Sequence, residues 1–167
     1  MSRVLAIDPG NAESAFVVIN SDCEPLHFDK LPNKDLRRLI LTGHDRVGAD
    51  RVAIEMVASY GMAVGKEVFE TCVWIGKFSE AVRGNWWPNS DPELIYRRDV
   101  KLHHCHSAKA KDTNVRQALV DRFSPGQSNH GKGTKADPGW FYGFRADVWQ
   151  AYALAVLVAD RQMGRAA

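Results

Sequence analysis

Two stretches of this chain run through apolar residues and end on a carboxylate. One is Arg3-Val-Leu-Ala-Ile-Asp8, closed by Pro9-Gly10, and the other is Arg51-Val-Ala-Ile-Glu55. A short unbroken apolar run, bounded by turn residues, is the pattern of a strand covered on both faces. A carboxylate does not sit inside such a strand without a partner, so each acid belongs at its strand's end. In an open α/β sheet the carboxyl ends of the strands face the functional crevice. If the two strands are neighbours, Asp8 and Glu55 converge there.

The rest of the chain fills in around these two strands. Residues 14–19 are β-branched and aromatic and predict a second strand, and residues 25–29 a third after the Asn20-Ser-Asp22 turn. Their spacing suits an antiparallel meander. Asn33 is placed to cap a helix that runs to Leu41, with Leu36, Leu39 and Ile40 on one side. A long helix is expected over 63–82, a short strand over 93–96 and an amphipathic helix over 112–123. A last helix is expected from about Arg145 to Met163. Residues 124–140, rich in Gly, Ser, Asn, Lys and Pro, read as a mobile basic loop. The order predicts an α/β fold with a five-stranded mixed sheet flanked by helices, in one domain spanning 1–167.

Net charge is only +2, but its distribution is uneven. From Arg97 to Arg145 there are ten Lys or Arg against four Asp or Glu, which leaves the remainder acid-rich. A basic flank beside carboxylates suits a polyanionic partner. Arg97, Arg98, Lys101, Lys109, Lys111 and Arg116 are candidate phosphate contacts, joined by Lys132 and Lys135 from the loop. Lys109 and Lys111 stand before a helix whose N-terminus can itself receive a phosphate. Tyr60, just past Glu55 on a Gly-bounded segment, is placed to stack on an unpaired base. Trp86 and Trp87 read as packing residues.

Several classes are set aside. Cys23, Cys72 and Cys105 are too few and odd in number for a disulfide framework, and the N-terminal apolar run is too short for a signal peptide. The longest uncharged apolar stretch, residues 151–159, is far below membrane-spanning length, so no membrane partner is expected and a cytoplasmic protein is. Gly126-Gln-Ser-Asn-His-Gly-Lys-Gly133 nearly spells a phosphate-binding loop. It lacks the Ser or Thr after its Lys, no strand leads into it, and no nucleotide cofactor is expected. His103-His-Cys-His106 lacks zinc-ligand spacing and a second ligand pair, and is read as added hydrogen-bond donors on the basic flank.

Asp147 lies in the first turn of the last helix, where the helix dipole favours a negative charge. Asp8, Glu55 and Asp147 together offer hard oxygen donors for Mg²⁺ or Mn²⁺. Two such ions about 4 Å apart would activate a water and stabilise the leaving oxygen of a phosphodiester. Each acid also has a plainer use, as a turn former or a helix cap.

Ala6-Ile-Asp-Pro-Gly10, Val52-Ala-Ile-Glu55 and Ala146-Asp-Val-Trp-Gln-Ala-Tyr-Ala-Leu-Ala155 come in that order. With the helix opening at Ala110-Lys-Asp-Thr-Asn-Val-Arg116, the series resembles RuvC-type Holliday-junction resolvases of the ribonuclease H-like superfamily, in particular those of phages and prophages. The resemblance implies a ribonuclease H-like fold and Mg²⁺-dependent endonuclease action on Holliday junctions or other branched DNA. It implies Asp8, Glu55 and Asp147 as metal ligands, two ions per site, 5′-phosphate and 3′-hydroxyl products, and a homodimer built on the long helix. The family commonly places a fourth acid or His one turn from the last acid, and here that place holds Gln150, a neutral ligand or a water-orienting group. Asp160 lies 13 residues further along the helix, about 20 Å from Asp147, and cannot replace it. Two other readings use the same residues: a nuclease for flaps or RNA–DNA hybrids, and a junction-binding protein whose site is degenerate at Gln150.

Overall fold

The computed structural model describes residues 2–85 and 91–164, so Trp86 and Trp87 lie outside the described residues. Five strands form one sheet: β1 (Val4–Asp8), β2 (Glu13–Ile19), β3 (Pro25–Pro32), β4 (Arg51–Met56) and β5 (Glu93–Tyr96). Their order is β3-β2-β1-β4-β5, antiparallel across the first three and parallel from β1 through β4 to β5. This is the expected mixed sheet. The helices are α1 (Asn33–Thr42), the single turn α2 (His44–Val47), α3 (Lys66–Asn85), α4 (Arg97–Cys105), α5 (Asp112–Phe123) and α6 (Ala146–Gln162).

Strand alternation divides the core in two. Leu5, Ile7, Val52 and Ile54 pack on the side of α1 and α3, while Val4, Ala6, Ala53 and Ile95 face α6. The same period of two carries Asp8 and Glu55 to the α6 side. Apart from Gln150, α6 is buried all round from Val148 to Asp160, and Ala151, Ala153, Ala155 and Ala159 supply small side chains along it. A helix apolar on every side is an interior helix; α6 lies between the sheet and the α4–α5 pair.

The turn after Asp8 is held by a buried polar knot. Ser14 Oγ donates to Asn33 Oδ1 at 2.6 Å, Asn33 Nδ2 donates to the Gly10 carbonyl at 2.9 Å, and the Gly10 N–H donates to Ser14 Oγ at 3.1 Å. Asn33 was expected as the cap of α1, but Pro32 holds the cap position and the Asn33 side chain secures the β1–β2 turn instead. A Cβ at Gly10 would fall 2.3 Å from the Glu13 carbonyl oxygen, so no other residue closes this turn so tightly.

Three other expectations are corrected. The third strand continues past Asp29 to Pro32 and so includes Lys30, which pairs with Ala15 on β2. α4 was not foreseen, because its sequence, RRDVKLHHC, buries only Val100 fully and gives little apolar periodicity. Segment 124–140 is an ordered structure rather than a loose loop. Phe123 stacks on Trp140 at 5.4 Å, Trp140 Nε1 donates to the Tyr152 hydroxyl at 2.9 Å, and Gly133 bridges Pro138. Gly131 is required there: its φ is +75°, and a Cβ would meet Ser124 Oγ at 2.0 Å.

The histidines of α4 turn inward and do not join the basic flank. His103 Nε2 lies 2.8 Å from Asp160 Oδ2, and His104 Nε2 lies 2.8 Å from the Ala153 carbonyl oxygen. Burial, with the neighbouring His103 adding to it, pushes His104 down to about 4 against the pull of the Ala153 carbonyl and Asp160. The folded protein therefore keeps His104 neutral while the unfolded chain takes up a proton. Stability from this group is full above pH 6.5 and is lost as pH falls toward 4. Urea titrations at pH 7 and pH 4 should differ by on the order of 3 kcal/mol from His104, and His104→Gln should flatten that part of the profile. An unchanged profile in the variant would assign the acid loss elsewhere.

Candidate functional site

Asp8 ends β1 and Glu55 lies near the end of β4, on strands that pair in parallel register with Ile7 opposite Ile54. The carboxylates thus emerge side by side at the carboxyl edge of the sheet, under the first turns of α6. Arg97, the first residue of α4, reaches into the same place. Its Nη1 donates to Glu55 Oε2 at 3.1 Å and its Nη2 to Asp112 Oδ1 at 2.7 Å. Nη2 also donates to Gln150 Oε1. The side chains of Arg97 and Glu55 are only 19% and 16% exposed.

The electrostatics are those of crowded acids. Burial first, and then the Glu55 charge, raise Asp8 to about 8; Arg97 opposes them, and Asp147 and Asp112 add to the rise. Burial also raises Glu55, against the pull of Arg97. Among the described residues no donor reaches the Asp8 carboxyl group. A desolvated acid beside a second acid, both at the mouth of a crevice, is the setting in which a cation is missed most.

Asp147 stands in the first turn of α6 as expected, and its Oδ2 lies 2.5 Å from Lys30 Nζ. Lys30 also approaches Glu13 at 3.8 Å, and the hydrogen bond to Asp147 raises its own pKa. Lys30 and Asp112 are the two site residues that sequence reasoning missed. The alternation of β3, which puts Phe28 against Phe144 of the segment entering α6, puts Lys30 on the same face and could have found the first. Among the described residues no three His, Cys, Asp or Glu side chains gather into a ready metal cage.

The donor set nevertheless fits one hard divalent ion. Asp8 is an acid without a donor, Glu55 is beside it, and Asp147 is near enough to raise Asp8. It does not fit a second ion in the same way, because Arg97 already holds Gln150, Asp112 and one oxygen of Glu55.

The basic residues fall into four groups. Tyr60, Arg97, Arg98, Lys101 and Ala108 line a cavity of about 280 Å³ next to the acids, and Tyr60 is 64% exposed. Lys109 and Lys111 are exposed at the entry to α5, where Lys111 is the N-cap. Arg116 is turned away: its guanidinium lies 4.7 Å over the Trp149 ring with Nε buried. Lys132 and Lys135 belong to the ordered segment anchored on Phe123 and Tyr152, and no described contact brings them to the acids.

No family model and no curated protein matches this chain. Solved structures do. The chain is similar to Thermus thermophilus RuvC, with a TM-score of 0.71, 15% identity and 98% of each chain covered. The same protein in complex with a Holliday junction substrate aligns with a TM-score of 0.69 at 16% identity, over 99% of this chain and 98% of that one. The fowlpox virus Holliday junction resolvase aligns with a TM-score of 0.51 at 15% identity, over 95% of this chain and 99% of that one. Among the described residues no helix is long and apolar enough to cross a membrane. With its strand order, its acids at one sheet edge and this likeness along nearly its whole length, the chain has the ribonuclease H-like fold of the RuvC-type resolvases.

Proposed function

We propose that this protein is a metal-dependent endonuclease that hydrolyses phosphodiester bonds at Holliday junctions or other branched DNA. The observation that carries the reading is the pair Asp8 and Glu55, adjacent at the sheet edge and desolvated, with no donor on Asp8 among the described residues. Asp8 and Glu55 would hold a Mg²⁺ or Mn²⁺ ion, with Asp147 as third ligand once it leaves Lys30. When bound, such an ion supplies an acidified water and neutralises charge on the phosphate. In the reaction the water oxygen bonds to phosphorus, the bond from phosphorus to the 3′ oxygen breaks, and that oxygen takes a proton. The products carry a 5′-phosphate and a 3′-hydroxyl.

The remaining residues bind and orient. Arg98 and Lys101 offer phosphate contacts at the cavity wall, and Lys109 and Lys111 extend them to the α5 N-terminus. Tyr60 presents an exposed ring to an unpaired base at the branch. These contacts read backbone shape rather than sequence. The flap and hybrid alternatives use the same acids, so substrate comparison decides among them. A synthetic four-way junction with Mg²⁺ or Mn²⁺ should give paired, symmetric incisions near the branch on a denaturing gel, with linear duplex and RNA–DNA hybrid uncut. Binding without incision in either metal would replace this reading with that of a junction-binding protein.

A symmetric junction calls for two sites, which a two-fold dimer supplies. α3 offers the surface: Phe69 and Val73, four residues apart on one face, are 62% and 55% exposed, and Met62 ahead of the helix is 73% exposed. Phe69→Glu with Val73→Glu should convert a dimer to a folded monomer, read by light scattering at micromolar concentration. A monomeric wild-type protein would refute the dimer.

A further inference from the structure

Arg97 is the least expected part of the site. The sequence offers it as one of several candidate phosphate contacts, yet its guanidinium is enclosed by the oxygens of Glu55, Asp112 and Gln150. These are oxygens of the kind a hard cation takes, two charged and one neutral. Gln150 stands where the resemblance implies a further acid. A carboxylate at that place would add a third negative charge around this point and draw a second dication, whereas the amide oxygen leaves only the Glu55 and Asp112 charges, and Glu55 also faces Asp8. Arg97 keeps its positive charge at every accessible pH and presents its donors in a fixed planar fork.

We propose that the Arg97 guanidinium takes the place of a second metal ion, so that each chain binds one divalent cation rather than two. This rests on the nuclease reading above and refines it. Arg97 is well placed to be permanent there. It is the first residue of α4, directly after β5, so the strand end and the helix start fix its backbone beside Glu55. The guanidinium has five N–H groups and the three acceptors do not use them all. Arg97 also lines the cavity with Tyr60, Arg98 and Lys101, where a phosphate oxygen would be received. A guanidinium binds phosphate by paired hydrogen bonds, which a metal does not. One site thus combines a replaceable cation on the Asp8 side with a built-in cation on the Gln150 side.

The test counts ions. Metal-free full-length protein is titrated with Mn²⁺, and free Mn²⁺ is followed by electron paramagnetic resonance. Wild type should bind one Mn²⁺ per chain. Gln150→Asp alone should still bind one, because Arg97 pairs with the new carboxylate. Arg97→Ala with Gln150→Asp should bind two, with folding checked by circular dichroism. Two ions on wild type, or two on Gln150→Asp with Arg97 in place, would overturn the proposal, as would a folded double variant that binds one. If the double variant does not fold, the first two titrations decide alone. No ion on wild type would remove the metal-dependent reading together with this one, whereas two ions with junction cleavage would leave the nuclease standing.

Discussion

Asp8→Asn should abolish junction cleavage, preserve or tighten junction binding, and raise the melting temperature of the metal-free protein. The first two effects follow from removing a metal ligand and a negative charge that faces phosphates. The third follows from the buried acid. Burial and the Glu55 charge hold the Asp8 pKa at about 8, against 3.8 in the unfolded chain. Between those values the unfolded chain gives up a proton that the folded protein keeps, so stability falls as pH rises. At pH 9 the penalty is complete and on the order of 5 kcal/mol at most, which Asn, the same shape without the charge, does not incur. For a chain of this size that corresponds to roughly 10 °C or more. Thermal melts of both proteins at pH 5 and pH 9 should show a gap that widens with pH. A variant no more stable than wild type at pH 9, or one that loses junction binding as well, would mean that Asp8 has a structural partner.

The second large effect is expected at the far end of α6. Asp160 is 1% exposed and accepts from Arg122 Nη1 at 2.6 Å, Arg122 Nη2 at 2.8 Å and His103 Nε2 at 2.8 Å. This carboxylate joins α4, α5 and α6, and these hydrogen bonds outweigh its burial to hold its pKa below the usual carboxylate range. Asp160→Asn keeps the volume, removes the charge, and leaves Arg122 and His103 facing a neutral amide. Breaking a buried pair costs about 3–5 kcal/mol, and the lower end is expected because Arg122 is 35% exposed. Urea unfolding should show a loss of roughly 3 kcal/mol, while the folded fraction still cuts at the wild-type rate. A loss below about 1 kcal/mol would class the pair with surface ion pairs. Because the pKa of Asp160 is lowered, its contribution is present above the unfolded value and fades as acid protonates the folded form.

Asp160 also marks where local reading stops. Seen in sequence it is one more charge near a helix end, excluded from the site by helical rise alone. Its partners lie 38 and 57 positions away, and only the packing of α4 and α5 on α6 makes it the core's main ionic tie. The same holds for His103 and His104, whose spacing excluded zinc but could not tell a buried pair from a surface one.

What the chain determines by itself is set by short-range periodicity. An apolar run that ends in a carboxylate specifies a buried strand and the acid's place at its end, so β1, β4, Asp8 and Glu55 were legible. The period of two also settles their shared face, once each strand is known to be covered on both sides. The helix boundaries of α5 were legible to the residue, because its apolar positions recur at helical spacing. The tertiary structure alone decided which cations meet which acids. Lys30 reaches Asp147 across 117 positions, and Arg97 reaches Gln150 across 53 and Asp112 across 15. Long flexible cations carry no periodic signature. Their partners are chosen by where the sheet and α6 bring unmatched oxygens together, and that depends on the whole fold.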